Sequence, residues 1–129
     1  MKIEHLAVNV PDPAALADWY VEHLGMRVVF SLDEAPHTRF LADSAGDVMF
    51  EVYRNLPDEM PDHASRHPLH FHLAFVSKSP EADKDRLVVA GATYFDEARF
   101  EDGTLLVMLR DPWGLAIQLC KRGRPLLDS

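Results

Sequence analysis

The stretch HLAVNV at residues 5–10 returns as HLAFVS at residues 72–77, at an offset of 67 residues. The same offset carries FEV at residues 50–52 onto IQL at residues 117–119. Each of these matches places a polar residue inside an apolar, strand-like pattern. Two distant matches at one offset indicate an internal duplication. We therefore predict that the chain consists of two copies of one structural unit.

Both halves show the same order of elements, namely a strand, a helix and three strands. Apolar residues alternate in the strand segments, whereas Leu16, Trp19 and Tyr20 recur at helical spacing before a glycine typical of a helix C-cap. In the first half the predicted strands are residues 3–10, 26–32, 38–42 and 48–54, with a helix at 14–24. In the second half they are residues 69–77, 92–97, 103–110 and 115–121, with a helix at 80–90. The sequence therefore predicts an α+β fold of two tandem βαβββ modules.

The length of 129 residues is close to that of a common single domain, so one domain over residues 1–129 is expected. A segment with three prolines and little periodicity separates the halves and is typical of a linker. The predicted parts are module 1 at residues 2–56, the linker at 57–68, module 2 at 69–121 and a C-terminal tail at 122–129.

Composition excludes several classes of partner. The formal net charge is −8, with 13 basic and 21 acidic residues, whereas binding to nucleic acid needs a basic patch. No apolar run approaches the roughly 20 residues of a membrane-spanning helix, and the first residues lack the features of a secretory signal. We expect a soluble, cytoplasmic protein whose partner is a small molecule rather than nucleic acid or membrane.

Four polar residues, His5, Glu51, His72 and Gln118, interrupt otherwise apolar strands. Burying such groups without partners is costly, and the offset of 67 pairs them two by two. Two imidazoles, a carboxylate and an amide oxygen suit one divalent ion such as Zn²⁺, Ni²⁺, Mn²⁺, Co²⁺ or Fe²⁺. His70 is an alternative ligand, because a residue two positions before His72 would share its face of a strand.

Six segments together resemble one known family. They are IEHLAVNVPD at 3–12, ADWYVEHLGMRVV at 17–29, MFEVYRN at 49–55, HFHLAFVS at 70–77, RLVVAGA at 86–92 and DPWGLAIQL at 111–119. The set is similar to the vicinal oxygen chelate superfamily, which includes glyoxalase I, extradiol dioxygenases, fosfomycin-resistance thiol transferases, methylmalonyl-CoA epimerase and bleomycin-binding proteins. The resemblance implies a cupped, incompletely closed mixed β-sheet around a metal site, in a homodimer.

The resemblance also assigns roles to residues. The four ligand positions of the family fall on His5, Glu51, His72 and Gln118. Glu51 followed four positions later by Asn55 looks most like glyoxalase I, where this arrangement serves metal and substrate. Gln118 stands where the family usually has glutamate, and an amide cannot take a proton near neutral pH, so Glu51 is the remaining base. Asn55 and Arg39 are the candidate substrate contacts.

These observations favour a metal-dependent lyase or isomerase, similar to lactoylglutathione lyase. It would act on a small substrate with two adjacent oxygens through an enediolate-type intermediate, with Glu51 moving the proton. One alternative is an Fe²⁺ extradiol-type dioxygenase, although Glu51 is then an extra ligand. Others are a non-catalytic binding or resistance protein and a thiol transferase, for which we recognise no K⁺-binding loop.

Overall fold

A computed structural model describes residues 1–127 of the chain, in two compact units. The first unit ends at Pro61 and the second begins at Asp62, so the boundary lies inside the predicted linker 57–68. The predicted tail is described as far as residue 127, and its last two residues lie outside the described part. Within residues 1–127, no helix has both the length and the apolar character needed to cross a membrane.

The first unit is one βαβββ module with a mixed sheet. Its strands lie in the order β1-β4-β3-β2; β1 is parallel to β4, and the other neighbours are antiparallel. The elements are β1 (His5–Asn9), α1 (Pro13–Leu24), β2 (Arg27–Ser31), β3 (Arg39–Ala42) and β4 (Met49–Tyr53).

The second unit repeats this arrangement, with the strand order β5-β8-β7-β6 and β5 parallel to β8. Two short 3₁₀ turns, Pro57–Glu59 and His63–Ser65, occupy part of the predicted linker. The elements are β5 (Leu73–Val76), α2 (Pro80–Val89), β6 (Thr93–Arg99), β7 (Leu105–Arg110) and β8 (Ala116–Lys121). The predicted α+β fold of two tandem modules is confirmed, and neither sheet is closed.

The duplication extends to the strand register. Leu6 is paired with Phe50 in the first module, and the residues 67 positions later, Leu73 and Ile117, are paired in the second. The register of the second strand also shifts in both modules, between Val28 and Phe30 in β2 and between Tyr94 and Asp96 in β6. A repeated register with a repeated bulge is strong support for two copies of one unit.

Local chemistry fixes the ends of α1. The Asp12 carboxylate accepts the N–H of Ala15 at 3.1 Å, and Pro13 occupies the first turn, where its missing N–H costs nothing. Gly25 ends the helix in the left-handed region at φ 70°, and its N–H bonds the Tyr20 carbonyl. The helix therefore has defined ends at which the chain reverses into β2.

Each helix covers one face of its own sheet. The Tyr20 ring of α1 is fully buried and lies 5.8 Å from the Phe50 ring of β4. In the second module, Leu87 of α2 is fully buried, as are Val107 and Ile117 of the sheet. Burial of each such side chain contributes about 1.5–3 kcal/mol. In each module the opposite face of the sheet carries no helix of that module, and we call it the helix-free face.

The start of the second module differs from its prediction. Residues 69–77 were expected to form a strand, but β5 begins at Leu73. Residues 68–70 form a turn in which the His70 N–H bonds the His67 carbonyl at 2.9 Å. His72 therefore lies just before the strand, and His70 does not share a strand face with it. Pro68 is the physical reason, because it lacks an N–H and favours a turn.

Asp111 shapes the turn between β7 and β8. Its side chain is buried, and one carboxylate oxygen accepts the N–H groups of Trp113 and Leu115, both at 2.9 Å. We expect Asp111→Ala to lower the free energy of unfolding by about 2–3 kcal/mol, because two N–H groups lose their acceptor. Urea denaturation measures the loss. Asp111→Asn is the control, since its amide oxygen can accept the same bonds; equal losses in both variants would contradict this explanation.

Candidate metal centre and apolar cavity

The first half of the predicted site lies on the helix-free face of module 1. Phe50 and Val52 of β4 are buried on the side of α1, so strand alternation directs Glu51 to the other face. His5 opens β1 on this same face, and its Nε2 lies 3.5 Å from Glu51 Oε1. The structure thus brings these two predicted ligands together.

The orientation of the His5 ring is fixed from its other nitrogen. Nδ1 lies 2.9 Å from Glu4 Oε1, and the Phe40 ring meets the imidazole edge-on at a centroid distance of 5.3 Å. Because an ionised carboxylate only accepts hydrogen bonds, Nδ1 is the donor to Glu4, and Nε2 is the ring nitrogen that faces Glu51. A carboxylate behind a histidine is the usual support for a metal-binding imidazole.

His72 has the same arrangement in module 2. Its Nδ1 lies 3.0 Å from the Pro68 carbonyl, which can only accept, so Nδ1 is the donor and Nε2 is the nitrogen that could bind an ion. A backbone carbonyl is the second common support of a histidine ligand. Sequence reasoning identified His5 and His72 but missed both supporting groups, Glu4 and Pro68.

Gln118 holds the register position in module 2 that Glu51 holds in module 1. Each is paired with an alanine of the first strand, Ala7 or Ala74, and with an apolar residue of the third strand. Gln118 is buried, and its Oε1 accepts a hydrogen bond from the Cys120 thiol at 3.1 Å. A carbonyl oxygen has two lone pairs, so one remains for a further partner.

Cys120 is the protonated partner in this contact. Burial raises the pKa of its thiol, and the positive charge of Arg122 offsets this only in part. The thiol therefore stays a donor near neutral pH and orients the Gln118 oxygen.

A cavity of about 340 Å³ opens beside Gln118 on the helix-free face of module 2. Its volume lies in the range of small-molecule sites, and its wall is mainly apolar, with Gln118 among a few polar groups. The sequence shows apolar residues at alternate positions of β7, among them Leu106 and Met108, which line the cavity. This periodicity predicts an apolar strand face, but it does not predict a cavity. The lining residues are His67, Pro68, Leu69, Phe95, Asp96, Glu97, Ala98, Phe100, Leu106, Met108 and Gln118.

The donors fit a divalent ion in type, and each module contributes two of them. Two ligands bonded to one ion at about 2.1 Å lie about 3 Å apart, close to the 3.5 Å between His5 Nε2 and Glu51 Oε1. Over residues 1–127, no three His, Cys, Asp or Glu side chains form a group that could hold a metal ion. The four-residue site stays a prediction.

Arg39, a predicted substrate contact, mainly holds a loop. Its Nη1 donates to three backbone carbonyls, and its side chain is only 16% exposed. The distances are 2.7 Å to Leu32, 3.3 Å to His37 and 3.1 Å to Thr38. Its Nη2 lies 3.9 Å from Asp33 Oδ1, and a role of Arg39 in substrate binding stays a prediction.

Asn55, the second predicted substrate contact, lies just beyond the end of β4. Its N–H donates to Asn9 Oδ1 at 2.8 Å, and its own Oδ1 accepts the Leu56 N–H at 2.9 Å. The bond between Asn55 and Asn9 joins the carboxyl ends of β1 and β4. Asn55 is exposed and lines a groove with Arg54, so a role in substrate binding stays a prediction.

Residues 2–119 match the Glyoxalase/Bleomycin resistance protein/Dioxygenase superfamily, and the chain belongs to this superfamily. The match covers both modules and both halves of the predicted site. The resemblance to the vicinal oxygen chelate superfamily is thereby confirmed. No match was found among curated proteins.

Solved structures share the fold. The antibiotic binding protein TnmS3 from Streptomyces sp. CB03234 is 20% identical, with a TM-score of 0.70 over 92% of this chain and 93% of its own. A possible glyoxalase from Bacillus cereus is 20% identical, with a TM-score of 0.68 over 94% and 99%. SMU.1112c is 25% identical, with a TM-score of 0.67 over 94% and 98%. Proteins with different described roles therefore share this architecture.

The role of Arg39 can be tested directly. We expect Arg39→Gln to lower the free energy of unfolding by about 1–2 kcal/mol, because three loop carbonyls lose a charged donor at a partly exposed site. Arg39→Lys should lose less, since it keeps the charge without the planar fork. Thermal and urea denaturation measure both variants. Unchanged stability in Arg39→Gln would show that the clamp contributes nothing.

Proposed function

We propose that this protein is a metal-dependent lyase or isomerase that acts on a small substrate with two adjacent oxygen atoms. Its site is assembled from His5 and Glu51 of one module and His72 and Gln118 of the other, within a chain or between chains. The observation that carries the proposal is that His5 and His72 each have a hydrogen-bond acceptor at Nδ1. In each ring Nε2 is left as the ligand atom.

The donor set indicates the class of metal. Two imidazole nitrogens, one carboxylate and one amide oxygen suit Zn²⁺, Ni²⁺, Mn²⁺, Co²⁺ or Fe²⁺ rather than a soft ion. When bound, the ion would supply Lewis-acid stabilisation of negative charge on the substrate oxygens.

Glu51 is the group that moves a proton in this proposal. It is the only carboxylate among the four residues, and its Oε1 is near the His5 ring on the open face of the sheet. The carboxylate would accept a proton from the carbon next to a substrate oxygen and return it to the neighbouring atom. Gln118 cannot exchange a proton near neutral pH, so in this proposal its amide oxygen only binds the metal ion. A homodimer and a cytoplasmic location stay predictions.

Elemental analysis tests the proposed metal site. The purified chain should hold about one divalent ion per chain, because the four donors form a single site. His5→Ala and His72→Ala should each lose the ion, since each removes a ligand from a different module. Glu51→Gln should retain some metal and lose activity towards α-ketoaldehyde hemithioacetals and related substrates.

His23→Ala is the matched control for the loss of a histidine. His23 lies in the last turn of α1 against the Trp19 ring, away from the helix-free face, so this variant should keep its metal. If the folded wild type takes up none of the five candidate ions, the enzyme proposal is wrong. Equal metal loss in His23→Ala and His72→Ala would also count against the assigned ligands.

A second candidate function is the binding of a small, mainly apolar molecule without chemistry. The cavity beside Gln118 favours it, because Phe95, Phe100, Leu106 and Met108 line the wall. Burial of apolar ligand surface contributes about 25 cal/mol per Å², which favours an apolar ligand over a polar one at this wall. The structural similarity to an antibiotic binding protein is consistent with this role.

Fluorescence of the neutral probe N-phenyl-1-naphthylamine tests the cavity. We expect the probe to bind the wild type and to bind Leu106→Gln at least about tenfold more weakly, because a polar group enters the apolar wall. Val89→Gln is the control, since Val89 is 91% exposed and lies outside the cavity. Equal binding to all three proteins would remove the support for a ligand-binding role.

A further inference from the structure

Arg110, the last residue of β7, ties a loop to the β7–β8 turn. Its guanidinium donates to three backbone carbonyls, and such a planar fork can hold several acceptors in fixed directions. The distances are 3.1 Å to His63, 2.7 Å to Arg66 and 3.1 Å to Gly114. One side chain therefore connects residues 63–66 with the turn at Gly114.

The contact between loop and turn is also close in the backbone. Gly114 has φ 89°, and a Cβ built on it would lie 2.5 Å from the Ala64 Cβ and 2.8 Å from the Ala64 Cα. No side chain fits between these segments unless one of them moves. This close approach is independent of the guanidinium and leads to the same conclusion: residues 63–66 are fixed on the turn.

The loop at residues 63–66 leads directly to Pro68, whose carbonyl contacts the His72 ring. Arg66, whose carbonyl receives the shortest of the Arg110 bonds, lies two residues before Pro68. The Pro68 carbonyl is the acceptor at His72 Nδ1. Between Arg66 and Pro68, the His67 carbonyl accepts the His70 N–H and closes the turn. The position of the Pro68 carbonyl thus depends on where Arg110 holds the loop.

The same guanidinium also contacts the wall of the cavity. Its central carbon lies 5.5 Å from the centroid of the Phe95 ring, a cation–π distance. The ring of His67 meets Phe95 edge-on at 5.3 Å. Phe95 is the unpaired residue at the register shift of β6, so the strand ladder holds it less firmly than its neighbours.

We infer that Arg110 is a positioning residue that orients the His72 ring through residues 63–68, by placing the Pro68 carbonyl that His72 Nδ1 contacts. The importance of this orientation for metal binding rests on the proposed function, whereas the positioning itself does not. A purely structural role for Arg110 would change stability and leave the protonation of the two His72 nitrogens unaltered. The tautomer therefore separates the two roles.

The test measures the His72 ring nitrogens by long-range ¹H–¹⁵N NMR on the metal-free chain at about pH 8.5, where histidine is neutral. The wild type should carry the proton on Nδ1. Arg110→Gln removes the fork, so the Pro68 carbonyl should move and the ring should populate both tautomers. Arg110→Lys should restore the Nδ1 proton in part. Gly114→Ala keeps the Arg110 side chain but forces the turn and the loop apart at Ala64, so it should shift the same signals.

Arg39→Gln is the matched control, because it also removes a guanidinium that holds three loop carbonyls, but in module 1. It should leave the His72 nitrogen signals as in the wild type. The affinity for Co²⁺, measured by titration, should fall about 10–100-fold in Arg110→Gln, the range typical for loss of a group that supports a metal ligand.

The outcomes distinguish this inference from the proposed function. The positioning role is overturned if the His72 signals are unchanged in folded Arg110→Gln. If the glutamine variant does not fold, unchanged signals in both Arg110→Lys and Gly114→Ala overturn it. A tautomer shift together with weaker Co²⁺ binding supports both. A tautomer shift in a chain that binds no metal even as wild type supports the role of Arg110 and contradicts the metal-dependent enzyme.

Discussion

The parallel pairing of the first and fourth strands organises each module. This pairing sets Ala7 beside Glu51 and Ala74 beside Gln118, and a slip of one residue would turn both polar side chains towards the helix. The helix that follows the first strand covers one face, so the polar residue in the middle of the fourth strand must face the other way. Everything proposed for the site follows from that register.

Around this common frame the two modules have diverged. Module 1 keeps a partly exposed carboxylate beside an imidazole that Glu4 supports from behind. Module 2 has a buried amide beside an apolar cavity, with a histidine supported by a backbone carbonyl. One copy therefore presents a charged group, and the other presents neutral donors and an apolar surface.

Arginine side chains fix loops in both modules by donating to backbone carbonyls. Arg39 holds the loop between β2 and β3, and Arg110 holds the segment that precedes β5. A charged, planar donor with several N–H groups can bond several loop carbonyls at once. These loops lie outside the strand ladders, and the guanidinium groups add bonds to their own turn hydrogen bonds. In module 2, the loop that Arg110 holds leads to Pro68, whose carbonyl accepts the hydrogen bond from His72.

The sequence by itself determined the two modules, the order of their elements and the equivalence of Glu51 with Gln118. Strand alternation, helical spacing and a repeat at one offset are local or periodic signals, and they can be read without coordinates. The tertiary structure decided that β5 starts only at Leu73, that Glu4 and Pro68 support the histidines, and that Arg110 fixes a distant loop. The physical reason is that a turn, a ring orientation or a guanidinium contact depends on three-dimensional distances between groups, and no periodic pattern in the chain encodes them.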